Sequence, residues 1–196
     1  NMRLIWEKQI ALTKEEIRER LYAYLLEKKY MRKKNDDSIL FYYNGKIPHR
    51  FFQIFYKEGL LHIEGWVPNW RGKEGTTTGK KIDVLGDNMQ EFIRIFSDVE
   101  GEEDVMEMKD LQHTGFEQWF FPETGTDKTG SAWTALVLGF IAEFFANMGF
   151  SDIFLLPLCM ATVFFSVRGM RSSKIYVAMT GLMLGLRLVL KMVTGI

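Results

Sequence analysis

The last third of the chain is almost free of charge, and this limits the possible folds more than any other feature. Residues 132–196 hold 5 of the 25 basic and 2 of the 25 acidic residues, while residues 1–131 hold the other 20 and 23. The mean hydropathy of −0.08 therefore averages two unlike segments. Such a split excludes a uniformly soluble globule, a disordered chain and a strongly basic nucleic-acid binder. It predicts a soluble domain followed by a membrane domain.

Three apolar runs make up the second part, at 132–150, 153–167 and 175–196. A span needs about 20 residues and tolerates about 17. The first and third runs qualify. The second reaches that length only if Ser151 and Asp152 enter the boundary, and Pro157 lies inside it. The expectation is two to three transmembrane helices, with a re-entrant third helix left open. Glu143, Arg187 and Lys191 interrupt the first and third runs. Charges in hydrocarbon seek partners, which makes these three a candidate intramembrane polar group, with Glu143 and Arg187 paired near mid-membrane. Arg168, Arg171 and Lys174 lie between the second and third runs, and Asp152 between the first and second. By the positive-inside rule the basic link is cytoplasmic, and so is the N-terminal domain. No apolar signal-peptide core precedes residue 132, which fits a domain that is not exported.

Within residues 1–98, Thr13-Lys-Glu-Glu16 reads as a capping box opening a helix over 13–33, with Ile17, Leu21 and Leu25 inward. Aromatic and β-branched runs at 39–43, 51–56 and 60–67 predict three strands, punctuated at Asn44-Gly45 and Glu58-Gly59. Asp87 caps a second predicted helix at 88–97. The result is an α+β domain, α-β-β-β-α, with a three-stranded sheet and two helices. Its expected core is Ile17, Leu21, Leu25, Leu40, Ile54, Leu61, Ile63, Phe92 and Phe96. His62, Glu64 and Trp66 fall on the other strand face, expected to be exposed and polar. That face and the glycine-rich loop 68–81 are candidate partner surfaces.

Residues 99–131 read as an acidic linker with an aromatic end, Phe116, Trp119, Phe120 and Phe121. Trp119, Phe120, Phe121 and Trp133 suit the headgroup zone as interface anchors, unless the first three pack on the soluble domain. Motifs for chemistry are lacking. Lys80 is followed by Lys81 where a phosphate loop requires Ser or Thr. His49, His62 and His113 are scattered without zinc-ligand spacing, and the single Cys159 cannot form an internal disulfide. No catalytic residue, metal or cofactor is assigned. His62 with Glu64 is the one acid/base pairing that a strand places on a common face.

Ala135-Leu-Val-Leu-Gly139, the basic link and Val177-Ala-Met-Thr-Gly-Leu-Met-Leu-Gly185 resemble a family of small bacterial membrane domains. That family carries an A-S-L-V-L-G … basic loop … A-G-L-x-L-G pattern, and the resemblance covers about a third of the chain. It implies a membrane domain and no particular activity. Glu143, Arg187 and Lys191 depart from the family's apolar filling. The expectation is an integral protein of a bacterial inner membrane with a cytoplasmic binding, sensing or scaffolding domain. Its partners would be the lipid bilayer and a protein on the soluble domain, without nucleic acid. The alternative is a membrane-embedded transporter subunit or enzyme working through the three charges.

Overall fold

The computed structural model describes residues 3–34, 36–42, 49–68, 80–100, 105–109, 115–122, 125 and 127–194. The chain divides into two compact units, Asn1–Thr126 and Asp127–Ile196. The predicted turn at Asn44-Gly45, His113 and most of the 68–81 loop lie outside the described residues.

Unit 1 is an antiparallel sheet with helices on one face. Its elements are β1 (Arg3–Gln9), α1 (Lys14–Glu27), β2 (Met31–Lys33), β3 (Asp36–Tyr42), β4 (Arg50–Lys57), β5 (Leu60–Trp66), α2 (Lys80–Ile95), β6 (Val105–Lys109) and β7 (Glu117–Gln118). The strand order is β2-β3-β4-β5-β1-β6, and β7 pairs with β4. Seven strands replace the expected three. The first, Leu4-Ile5-Trp6 followed by charge, has too short an apolar run to signal a strand, yet it lies between β5 and β6. β6 and β7 come from the segment expected to be a linker.

The capping box at Thr13 forms as predicted: its hydroxyl accepts from the Glu16 amide, and the Glu16 carboxylate accepts from the Thr13 amide. The Thr13 hydroxyl also donates to the Glu16 carboxylate at 2.7 Å; this bond and the one from the Thr13 amide favour the ionised carboxyl, and the Glu16 pKa lies below its usual value. The helix stops at Glu27, six residues before the expected end. Lys29 takes a positive φ of 58°, and the Tyr30 amide closes the turn on the Leu25 carbonyl at 2.9 Å. The cause is Tyr30, which is fully buried against Phe52, Phe92 and Tyr42 and draws the chain out of the helix. The basic run beyond it suits a helix end and also an edge strand, so charge alone could not place the boundary.

α2 begins near Lys80 rather than at Asp87, because Gly86-Asp87 continues the helix instead of starting it. Leu85, Met89, Phe92 and Phe96 are all fully buried at three- and four-residue spacing. They rest on β5 at Gly65, where an added Cβ would lie 2.8 Å from the Met89 methyl and 2.9 Å from Leu85 Cδ1. Every residue of the expected core is buried in this layer, joined by Trp6, Tyr30, Trp119 and Phe121. Burial of each such side chain is worth about 1.5–3 kcal/mol.

Unit 2 is a three-helix bundle of α3 (Thr129–Asn147), α4 (Asp152–Gly169) and α5 (Ile175–Thr194). All three are long and apolar enough to cross a membrane. Their 19, 18 and 20 residues span about 27–30 Å at the helical rise, close to the roughly 30 Å hydrocarbon layer. The second helix reaches its length because Ser151 caps it and Asp152 starts it. Small residues face inward: Ala132, Ala135, Gly139 and Ala142 on α3, and Ala178, Gly181 and Gly185 on α5. A Cβ on Gly181 would lie 2.8 Å from the Ala135 carbonyl carbon, and one on Gly169 would lie 2.7 Å from the Ala132 backbone. Backbones this close gain packing that large side chains would block. Large side chains such as Phe140, Phe144, Phe154, Phe164, Met183 and Leu190 point outward and are exposed.

The boundary of unit 1 has a measurable consequence. A fragment ending at residue 98 lacks β6, β7 and the buried Trp119 and Phe121. It is expected to aggregate or lose near-UV dichroism, whereas a fragment of residues 1–126 folds cooperatively. Equal cooperativity in the two fragments would show that the C-terminal strands are dispensable.

Candidate functional site

On the sheet face away from the helices, side chains form a polar ladder across four neighbouring strands. Glu7 and His62 are direct cross-strand partners, as are Gln53 and Glu64. His62 Nδ1 lies 2.6 Å from Glu7 Oε1, and Nε2 lies 2.8 Å from Glu64 Oε1. The other Glu64 oxygen accepts from Arg3 at 2.6 Å, and Arg3 also donates to Gln53 Oε1 at 2.6 Å. Gln53 donates onward to Ser38 at 2.9 Å, and Ser38 to Asp36. The Arg3 guanidinium stacks 4.0 Å from the Trp66 ring centre.

This face was expected to be exposed, and it is not. Glu64 is 0% exposed, His62 4% and Trp66 2%. Ile39, Phe41 and Phe51 join Trp66 in a second apolar cluster on the same side. Strand alternation correctly separated the two faces but could not show that both are covered. The ladder also depends on Arg3 and Glu7, and their strand carried no clear signal of its own.

With carboxylates on both ring nitrogens, the geometry suits an imidazolium. Burial opposes the charge, but the hydrogen bonds to Glu64 and Glu7 outweigh it and raise the His62 pKa above its usual 6.5. Alternating charge across Glu7, His62, Glu64 and Arg3 makes the ladder neutral in sum. It resembles a structural lock more than a reaction centre, because both ring nitrogens are already engaged. Among the described residues no group of His, Cys, Asp and Glu is arranged to hold a metal.

In unit 2, Glu143 on α3 and Arg187 on α5 come together, with Oε1 and a guanidinium nitrogen 3.5 Å apart. The Arg187 side chain is 71% exposed and that of Glu143 22%, and the other Glu143 oxygen is buried without a hydrogen-bond partner among the described residues. The pair lies nearer one end of the bundle than the sequence suggested. α3 starts at Thr129 and ends at Asn147, leaving Glu143 about 6 Å of helical rise from the end. Arg187 lies about 10 Å from the end of α5, and Lys191 about 4–5 Å.

The expected interface anchors divide. Trp119 and Phe121 are 3% and 2% exposed in the core of unit 1, with Trp119 stacked on Tyr56 and its amide bonded to the Ile54 carbonyl. Their place is the core of unit 1. Phe120 and Trp133 are about half exposed. Arg168 lies in the last turn of α4, and Arg171 and Lys174 in the link to α5. Asp127, which no local sequence pattern marks, fastens that link: it accepts from the Ser173 amide at 3.0 Å, the Ser173 hydroxyl at 2.6 Å and Thr129 at 2.8 Å.

Two tests follow from these geometries. A raised folded pKa for His62 means that the native state holds its proton more tightly than the unfolded chain. The ladder's contribution is complete below about pH 6.5 and is lost as pH rises through the folded pKa. The melting midpoint of residues 1–126 is expected to fall across that range, and Glu64→Gln to cost about 3–5 kcal/mol at pH 6. A midpoint that instead rises with pH through this window would contradict the imidazolium. In the bundle, Glu143→Arg and Arg187→Glu are each expected to cost about 1–2 kcal/mol in lipid nanodiscs. The double swap should recover most of that loss, and no recovery would show that the two are not partners.

No family model, curated protein or solved structure matches the chain.

Proposed function

We propose that the protein is an integral membrane protein of a bacterial inner membrane, in which three packed spans anchor a cytoplasmic binding, sensing or scaffolding domain. The observation that carries this reading is the inside-out character of unit 2. Small residues fill the contacts between its helices, while Phe140, Phe144, Phe154 and Leu190 are exposed around it. In water, so much contiguous apolar surface would drive aggregation, and in lipid it is the solvated face.

Sidedness rests on charge. Lys128, Arg168, Arg171 and Lys174, with Asp127, lie at one end of the bundle, and Asp152 with Lys191 at the other, so the basic excess is at the first end. The positive-inside rule favours a cytoplasmic position for the basic end, and with it unit 1. For a binding role, unit 1 offers a surface cavity of about 370 Å³ on α1, lined by Glu15, Arg18, Glu19, Tyr22, Phe121 and Pro122. It combines both charge signs with the half-buried Tyr22 ring, and Arg and Tyr are residue types enriched in protein interfaces. This surface takes the place of the buried sheet face as the candidate contact for a protein partner.

One observation favours a second reading, a transporter subunit or enzyme using Glu143, Arg187 and Lys191. The buried, unpartnered oxygen of Glu143 is the kind of group that conducts or exchanges a proton. The two readings separate on activity: Glu143→Gln leaves an anchor intact and abolishes a transport cycle.

Alkaline carbonate washing is expected to leave the chain in the membrane pellet. A C-terminal alkaline phosphatase fusion should be active and a C-terminal GFP fusion dark. Release by carbonate would overturn the integral reading, and the opposite fusion pattern would overturn the three-span topology.

A further inference from the structure

At the end of the bundle formed by the α3–α4 turn and the C-terminus of α5, two cavities adjoin. The first, of about 260 Å³, is lined by Asp152 and Lys191 with Leu188 and Met192. The second, of about 520 Å³, is almost wholly apolar and runs beside Phe154, Pro157 and Ala161. Phe150 and Leu155 line both. A molecule filling the two must carry a polar head and an apolar tail.

The head's chemistry follows from the charges. Among the described residues, neither Asp152 nor Lys191 has an ion-pair partner. Asp152 opens α4, and Lys191 lies in the last turn of α5, so both sit at headgroup depth rather than in hydrocarbon. Together they present one anion acceptor and one cation acceptor across a single cavity. A tail groove joined to such a head site matches a lipid with a phosphate and a primary ammonium, rather than a soluble anion.

We propose that this end of the bundle binds one aminophospholipid, its phosphate on Lys191, its ammonium on Asp152 and an acyl chain in the groove beside Pro157. The inference goes beyond the anchoring role and requires only that the bundle lie in a bilayer, whichever way it faces.

The test uses the full chain in vesicles of three compositions: pure phosphatidylcholine, and equal mixtures of phosphatidylcholine with phosphatidylethanolamine or with phosphatidylglycerol. Bound lipid is read by native mass spectrometry after mild detergent release, and stability by the melting midpoint. Phosphatidylethanolamine is expected to remain bound at one molecule per chain and to raise the midpoint. Phosphatidylcholine lacks an N–H donor for Asp152, and phosphatidylglycerol lacks the cation, so both should be retained about tenfold less. Asp152→Asn should erase the preference among the three lipids. Lys191→Gln should weaken all of them, while Asp152→Glu and Lys191→Arg, which keep the helix-end charges, preserve the wild-type order. Inorganic phosphate alone should not move the midpoint, and stabilisation by it would replace the lipid with a simple anion site. Equal retention of the three lipids by the wild-type chain would overturn the proposal without recourse to any variant.

Discussion

A fully buried carboxylate, Glu64, sets the terms for unit 1. Removing such a charge from water costs several kcal/mol unless opposite charge and hydrogen bonds replace the solvent. Arg3 and His62 supply both, one on each oxygen. His62 shares the fifth strand with Glu64 and Arg3 arrives on the first, so both oxygens are compensated only when these two strands lie side by side. Register is fixed by the same requirement. A slip of one residue between β1 and β5 would turn Glu7 and Arg3 toward the helices, into a layer made of Leu4, Trp6, Ile63 and Phe96. The ladder therefore specifies the pairing more than it adds net stability.

The two sheet faces divide the labour. One carries α1 and α2 over an aromatic core in which Tyr24, Tyr30, Phe52 and Phe92 meet at ring-centre distances of 5.1–5.8 Å. Burial raises the pKa of both tyrosines; the Tyr24 hydroxyl donates to Glu91 at 2.8 Å, and the Tyr30 hydroxyl accepts from the Asn88 side chain at 3.4 Å. The other face buries the charged ladder beside a smaller apolar cluster. Dispersion and hydrophobic burial hold the first layer without strong direction, and the hydrogen bonds of the second give it direction.

Unit 2 solves the opposite problem. Its helices are apolar enough to cross a membrane, and in a lipid setting apolar side chains gain little by turning inward, so that close backbone contact and the few polar groups carry association. Gly169 against Ala132 and Gly181 against Ala135 bring the helices together, and Thr162 returns its hydroxyl to the Leu158 carbonyl at 2.8 Å. The charges gather at the ends: Asp127 with Ser173 at one, and Glu143, Arg187, Lys191 and Asp152 toward the other. At the first end Asp127 is held by hydrogen bonds within the chain, and at the other Asp152 and Lys191 line a cavity.

Local chemistry was legible in the sequence wherever one segment held the whole signal. The capping box at Thr13, the β4–β5 hairpin through Glu58-Gly59, the core stripe of α1 and the three long apolar helices each depend on a few neighbouring residues. So did the pairing of Glu143 with Arg187, because charges in an apolar run have few alternatives. What tertiary structure decided depends on distant partners. β1 is a strand because β5 and β6 flank it, and β6 and β7 became strands although their acidic surroundings resembled a linker. α1 ends at Glu27 because Tyr30 finds a pocket among residues 12 to 62 positions away. Trp119 and Phe121 are core residues because β7 binds β4 beside them. The burial of Glu64 and His62 follows from the same long-range pairing: alternation along a strand assigns a side chain to a face, and only the assembled fold determines whether that face meets water.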